Sequence, residues 1–369
     1  MGDHPVLPDY GGQCVTSIVP ALFGPGGTRT LPAWMPSPLH GAAQVVLLVL
    51  DGLGWEQLAD RRRFAPVLAA MEGGPITTVA PSTTATGLTS IATGLTPGEH
   101  GIIGYRMDVH GEVLNVLRWA TPDGDARRRI PPAQLQPVPP FLGAAAPVVT
   151  RAEFDGSGFS GVHLAGARHV GYRATSTLKV EVRRLLRAGE PFVYAYYDGA
   201  DKVAHEYGLG EHFEAELVAI DRLVADLLAE LPAGAALALT ADHGQVDVGD
   251  RIVTPAPGVL ACTRMQSGEG RFRWFHARPG AADDLYEAAA EAHGDVAWVV
   301  TAAQARDEGW FGPLISPDAA GRLGDVALVA REPVSFEDPA DTGPFRLVSR
   351  HGSLTSAEMI VPFLAARGR

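Results

Sequence analysis

Val45-Val46-Leu47-Leu48-Val49-Leu50-Asp51-Gly52 is an unbroken apolar run that stops at a carboxylate and a glycine. A strand covered on both faces is apolar at every position, whereas a strand with one wet face alternates. The run therefore predicts a central strand of a parallel sheet. Asp51 falls at its carboxyl end, the edge where open α/β sheets bind ligands. Asp51 has a second reading, as the N-cap of a short helix over Trp55 to Leu58. Two further buried strands are predicted over Phe192 to Tyr197, which leads into Asp198-Gly199-Ala200-Asp201, and over Ala235 to Thr240, which ends in Ala241-Asp242-His243-Gly244. The fold class that follows is α/β, a mostly parallel sheet flanked by helices.

A chain of 369 residues fits one large α/β domain with an inserted subdomain, or two domains. Hydrophobic residues make up 46% and charged residues 20%, the balance of a globular protein. No apolar run reaches the length of a membrane span. The opening residues Met1 to Pro5 lack a basic segment followed by an apolar one, so a cytoplasmic location is expected. Cys14 and Cys262 lie far apart without metal-finger spacing and read as buried small hydrophobes. The net charge of -12 argues against a broad footprint on a nucleic-acid polymer, which needs clustered Lys and Arg. A small phosphorylated substrate stays compatible, because bound metal ions supply positive charge locally.

Residues 1 to 40, rich in Pro and Gly, read as a wrapping arm with one short helix near Ser17 to Leu22. Pro81-Ser82-Thr83-Thr84-Ala85-Thr86-Gly87 opens a helix of small residues running to Thr93, and a hydroxyl at its start meets free N–H groups and the positive helix end. Such a Thr-rich segment by itself more often caps or packs. Residues 104 to 160, with Tyr105, Trp119 and Arg127-Arg128-Arg129, read as an excursion from the sheet. Its aromatic and basic residues are possible substrate contacts, with a solvated surface run the more ordinary reading. Pro147 to Val149 and a helix over Ser176 to Leu186 form a βα unit, and His212 to Leu231 has helical spacing of core residues with no chemistry. Residues 251 to 320 are expected to form a small α+β insertion, leaving 1 to 250 and 321 to 369 as the main domain. Within the insertion lie a strand at Phe272 to Phe275, a helix over Asp284 to Ala292 and a strand over Val296 to Val300. The strand Asp325 to Ala330 is expected to return the chain to the main fold. His276 and His293, outside any motif, read as structural.

Chemistry concentrates in four other short segments. Asp201 and His205, four residues apart, share one face of a helical turn and suit a single cation, with Asp198 a competitor for the carboxylate. Asp242-His243-Gly244 after a buried strand is the most specific metal-type segment. Asp51-Gly52 and His351-Gly352 complete the set.

Together the five segments resemble the alkaline phosphatase superfamily, within it the type I phosphodiesterase/nucleotide pyrophosphatase branch. The spacing to Thr93-Gly94-Leu95 and His100-Gly101-Ile102-Ile103 places the nucleophile position at Thr84, with Ser82, Thr83 and Thr86 as neighbouring registers. The resemblance implies two divalent ions, zinc or alternatively manganese. One would be held by Asp201, His205 and His351, the other by Asp51, Asp242, His243 and the Thr84 oxygen. It implies attack by Thr84 through a phosphothreonine intermediate. The nucleotide-cleaving members carry an aromatic residue and an Asn where this chain has Ala85 and Gly87, so that wall of the substrate site is built differently. Tyr196 matches a position that stacks a nucleobase in relatives, and Gly87 and Tyr105 are the other candidate substrate contacts. The implied substrate is a small phosphodiester, a nucleotide or a cyclic dinucleotide such as cyclic di-AMP, with the chain a monomer or homodimer. Phosphonoacetate hydrolysis or phosphomonoester hydrolysis is the alternative within the superfamily. A non-catalytic binding protein is a weaker one, because every His and Asp ligand position is filled.

Overall fold

The computed structural model describes residues 4–23, 31–343 and 346–368. Its main sheet has seven strands, and Gln44–Leu50 lies at the centre between Ala235–Thr240 and Phe192–Tyr197, pairing in parallel with both. Beyond Phe192–Tyr197 come Pro147–Arg151 and Arg168–Tyr172, also parallel. On the other side Ile360–Arg367 runs antiparallel to its neighbours Ala235–Thr240 and Glu72–Thr77. The three central strands are buried throughout, except for Gln44 at the first position. This is the burial that an uninterrupted apolar run predicts.

Helix Glu211–Glu230 turns Phe213, Leu217, Ile220, Val224 and Leu227 inward and packs against helices Thr175–Arg187 and Gly199–Tyr207. Helix Thr84–Thr93 is buried at all its positions, which its small side chains permit close to neighbouring backbone. The short helix expected near the start is Ile18–Phe23. Residues 1–3 and 24–30 of the expected arm lie outside the described residues. The excursion after residue 104 contains a small antiparallel sheet beginning with Arg106–Val109 and Glu112–Asn115.

One expectation is corrected. Val326–Ala330 does not rejoin the main sheet: it pairs with Phe272–Ala277 and Ala297–Thr301 in a separate four-stranded antiparallel sheet that also holds Thr263–Glu269. A fully apolar pentapeptide has no mark that distinguishes a central strand of a small sheet from one of a large sheet. Its neighbours decide, and Ala327 and Val329 face the Phe272 and Trp274 side of the core while Val326, Leu328 and Ala330 join a cluster with Phe275 and Leu285.

A buried ion pair ties this small sheet to the segment behind His351. Arg271 donates from Nε and Nη2 to the two carboxylate oxygens of Glu358 at 2.7 and 2.8 Å, both side chains fully buried. The remaining Arg271 donor Nη1 meets the carbonyls of Glu332 and Val334, while Glu358 also accepts from the Ser353 amide and the Thr355 hydroxyl. Removing one partner of such a pair leaves a desolvated charge, which costs roughly 3–5 kcal/mol. Glu358→Gln is accordingly expected to lower the unfolding free energy in urea titrations by roughly that amount. A change under about 1 kcal/mol, the scale of an exposed pair, would show that the clamp is not what docks the two parts.

Candidate metal-dependent active site

Three strand ends converge at one edge of the main sheet. Asp51 follows Leu50, its amide donates to the Tyr197 carbonyl at 2.9 Å, and its carbonyl accepts from the Asp201 amide at 3.1 Å. Gly52 turns the chain at φ 72, and its amide donates to Asp242 Oδ1 at 3.1 Å. A Cβ there would lie 2.8 Å from Gln245 Nε2 and 3.0 Å from Asp201, so glycine is required by both the backbone angle and the neighbours. The capping alternative for Asp51 fails, because helix Trp55–Asp60 has Gly54 as its N-cap.

Three histidines are oriented by the same device. His205 Nδ1 bonds the Ser349 carbonyl at 2.7 Å, His243 Nδ1 that of Gly244 at 3.0 Å, and His351 Nδ1 that of Ser82 at 3.0 Å. Donation from Nδ1 leaves Nε2 with a free lone pair, the arrangement that metal-ligating histidines adopt. Those Nε2 atoms face carboxylates: His205 reaches Asp201 Oδ1 at 3.2 Å, His351 reaches the same oxygen at 3.9 Å, and His243 reaches Asp51 Oδ1 at 3.3 Å and Asp242 Oδ2 at 3.6 Å. The His243 and His351 rings stack at 3.6 Å. Donor atoms of Asp201, His205 and His351 lie within 4.8 Å of one another, as do those of Asp51, Asp201 and His243. Asp242 adjoins the second group through His243. Asp198 is excluded from both, since Arg151 Nε binds both its oxygens, at 2.7 and 2.8 Å, and Lys202 meets it at 2.6 Å.

The charge balance of this cluster suits a cation. Burial pushes the Asp242 carboxyl well above the usual range and the Asp51 charge adds to it; Asp201 is raised by burial as well. Burial would push His243 down, but Asp242 and Asp51 overcome that and hold it up at about 10. Asp51 Oδ1 and Asp242 Oδ2 are buried without a hydrogen-bond partner. Orphaned carboxylate oxygens beside free imidazole nitrogens are a donor set of the nitrogen–oxygen kind that divalent zinc and manganese accept. The residues present thus fit the metal group.

Thr84 opens its helix, and its hydroxyl lies 3.0 Å from His243 Nε2. The neighbouring registers are engaged elsewhere or buried: Ser82 donates to the Ser353 carbonyl at 2.6 Å, Thr83 hydrogen-bonds Glu269, and Thr86 Oγ1 is buried without a partner. Gly87 packs against Asp242. A Cβ on it would stand 2.8 Å from the Asp242 carbonyl oxygen and 2.9 Å from Asp242 Cβ, which explains why no Asn fits here. Tyr196 donates its hydroxyl to Asp51 Oδ2, so it orients a cluster carboxylate as well as lining a cavity.

Two clefts open from the cluster. An apolar one of about 240 Å³ touches Asp51 and Thr84 and is walled by Leu88, Phe154, Phe159, Tyr194 and Tyr196. His163 joins that wall, and burial pushes it down to about 4, so it is uncharged at neutral pH. A polar one of about 290 Å³ touches Asp201, His205 and His351 and is walled by Tyr105, Arg118, Glu269 and Arg350. The excursion therefore does reach the site, through Tyr105, Leu117 and Arg118, while its Arg127 and Arg129 are exposed and paired to Asp125 and Glu112 and its Trp119 is fully buried. Gln245, which donates to Asp201 Oδ1 at 2.6 Å and accepts from Ser349, was detectable only as the residue after Asp242-His243-Gly244. Glu269, its Oε1 orphaned and its carboxyl pushed up to about 8 by burial, carries no sequence signal, because it comes from the distant small sheet.

Paired acid–imidazole clusters at a parallel-sheet edge, beside a helix-terminal hydroxyl, define a metal-dependent hydrolase of phosphoester bonds. The chain belongs to the type I phosphodiesterase/nucleotide pyrophosphatase family, whose model matches residues 45–354. Among solved structures it is similar to the murine ectonucleotide pyrophosphatase/phosphodiesterase 5, at 16% identity and a TM-score of 0.66, over 88% of this chain and 89% of that one. An inactive threonine-to-alanine variant of that murine protein, in complex with AMP, matches at 16% identity and 0.65, over 88% of both chains. Phosphonoacetate hydrolase from Sinorhizobium meliloti 1021, in complex with phosphonoformate, matches at 19% and 0.66, over 93% of this chain and 92% of that one. Comparison with curated proteins finds no match. No helix among the described residues is long and apolar enough to cross a membrane.

Because Asp242 fills the space beside Gly87, Gly87→Ala is expected to destabilise by about 1–3 kcal/mol even though alanine is the better helix former. Thermal and urea unfolding of the variant check this; a stabilised protein would show that the helix and Asp242 can separate freely.

Proposed function

We propose that the chain hydrolyses a small phosphodiester carrying a nucleoside, with Thr84 as nucleophile and a cyclic dinucleotide such as cyclic di-AMP as candidate substrate. The supporting observation is that two clefts open from the donor cluster, with Thr84 in the wall of the apolar one. A phosphodiester has substituents on both sides of phosphorus, and the site has room on both sides of its donor cluster. Phosphonoacetate is a two-carbon phosphonate, and clefts of about 240 and 290 Å³ exceed what it needs. The diester reading is favoured for that reason.

Divalent ions bound by Asp201, His205 and His351, and by Asp51, Asp242 and His243, would supply a positive field for the phosphoryl oxygens and lower the pKa of coordinated hydroxyl groups. The chain's residues do the rest. The start of helix Thr84–Thr93 presents unpaired N–H groups to an anionic phosphoryl group. The first turn of the helix sets the Thr84 oxygen beside the donor cluster, 3.0 Å from His243 Nε2, so the attacking oxygen is positioned by the backbone. Aromatic side chains of the apolar cleft, Phe154 and Tyr196 with ring centroids 6.4 Å apart, offer faces to a nucleobase and exclude water from that side.

Replacing the nucleophile tests the reading. Thr84→Ala is expected to keep its metal content but lose about three orders of magnitude or more in hydrolysis of bis-(p-nitrophenyl) phosphate. The unaltered protein is expected to prefer that diester to p-nitrophenyl phosphate. Near-normal turnover in the variant would reject Thr84, and a preference for the monoester would reject the diester reading.

A further inference from the structure

The polar cleft contains positive charge that the residues around it do not neutralise. Four arginines stand in or behind its wall. Two of them, Arg106 and Arg273, are committed to Asp338 and Asp341: Arg106 lies 3.8 Å from Asp341 and close against Asp338, and Arg273 is 3.1 Å from Asp341 and 3.5 Å from Asp338. Arg118 and Arg350 have no carboxylate within 4.0 Å among the described residues. Arg350 Nε is buried without any hydrogen-bond partner, and Arg118 makes one long contact, 3.5 Å, to the Thr342 carbonyl. Gly270 leaves the space that the Arg350 guanidinium occupies, since a Cβ there would stand 2.9 Å from Nη1. Arg350 is half-buried with its Nε orphaned, Arg118 is exposed, and a planar fork of donors matches phosphate oxygens in pairs.

The cleft also lies on a defined side. Thr84 lines the apolar cleft and not the polar one, which abuts Asp201, His205 and His351. An oxygen leaving in line with attack from Thr84 departs away from Thr84, and the polar cleft is the one of the two that Thr84 does not line.

We propose that the polar cleft is a subsite for an anionic leaving group, in which Arg350 and Arg118 recognise a second phosphate on the alcohol released from the diester. This rests on the hydrolase reading for its direction. The acid groups lining the cleft do not fill the role: Asp341 is held by Arg106 and Arg273, Asp201 belongs to the donor cluster, and Glu269 makes no ion pair with either arginine among the described residues. The subsite distinguishes substrates that differ by one terminal phosphate, which neither the donor cluster nor the apolar cleft can do.

Thymidylyl-(3′→5′)-thymidine, unphosphorylated, 5′-phosphorylated or 3′-phosphorylated, provides matched probes, one of which places the extra charge on the leaving nucleoside. Calorimetric titration into metal-loaded Thr84→Ala protein is expected to show about tenfold or greater tightening for one phosphorylated form. Adding Arg350→Gln should reduce that ratio to under about twofold, Arg118→Gln should reduce it less, and Arg350→Lys should restore part of it. The ratio is insensitive to a general loss of folding or of metal, which weakens all three probes together. Equal affinity for the three, or a ratio unchanged by both substitutions, would overturn the proposal. Discrimination by a chain that hydrolyses neither dinucleotide nor bis-(p-nitrophenyl) phosphate would retain the subsite and sink the hydrolase reading instead.

Discussion

Mutual repulsion among Asp51, Asp201 and Asp242 is the constraint on which this architecture depends. Ligand oxygens of Asp51 and Asp201 lie within 4.8 Å of each other. At that separation two unit charges repel by about 3 to 4 kcal/mol with an effective dielectric of about 20. The strand ends hold them together regardless, through backbone bonds between Asp51, Tyr197 and Asp201 and through the Gly52 amide on Asp242. An arrangement that costs this much without a cation and is relieved by one suits a metal ion. The same tension holds His243 charged in the absence of metal, and binding an ion there would release its proton.

The imidazoles are tied to that centre from behind. His351 illustrates the linkage: its ring is held by the Ser82 carbonyl, its neighbour Gly352 pairs with Ser82 across an isolated bridge, and the following residues are clamped by Arg271 and Glu358. The small sheet therefore supplies more than bulk beside the main fold. It anchors the last ligand segment and contributes Glu269 and Gly270 to the polar cleft.

Most of the main sheet was legible because its central strands are buried on both faces and so read as unbroken apolar runs ending in polar residues. The seven polar positions at the donor cluster were legible for a related reason: ligand chemistry restricts residue type, and Asp, His and Thr at sheet edges stand out against apolar surroundings. Gln245 and Tyr196 support those ligands through hydrogen bonds, a role many residue types fill, and so left a weaker trace. Glu269, Arg118 and Arg350 reach the cleft from three different segments, and no local pattern signals such a convergence. The strand Val326–Ala330 was placed in the wrong sheet for the complementary reason, since an apolar strand reports that it is covered but not by what. Gly87, read as a substrate contact, also sets the spacing between its helix and Asp242, and only the position of Asp242 shows why.

The proposed pair of ions is tested most directly by metal analysis of the purified chain after dialysis against manganese or zinc. Two equivalents per chain are expected, with one lost in His205→Ala or His351→Ala, because the two donor groups share Asp201 but draw on different histidines. Less than half an equivalent in the unaltered protein, under conditions where it is folded, would contradict the claim that these carboxylates are assembled around cations.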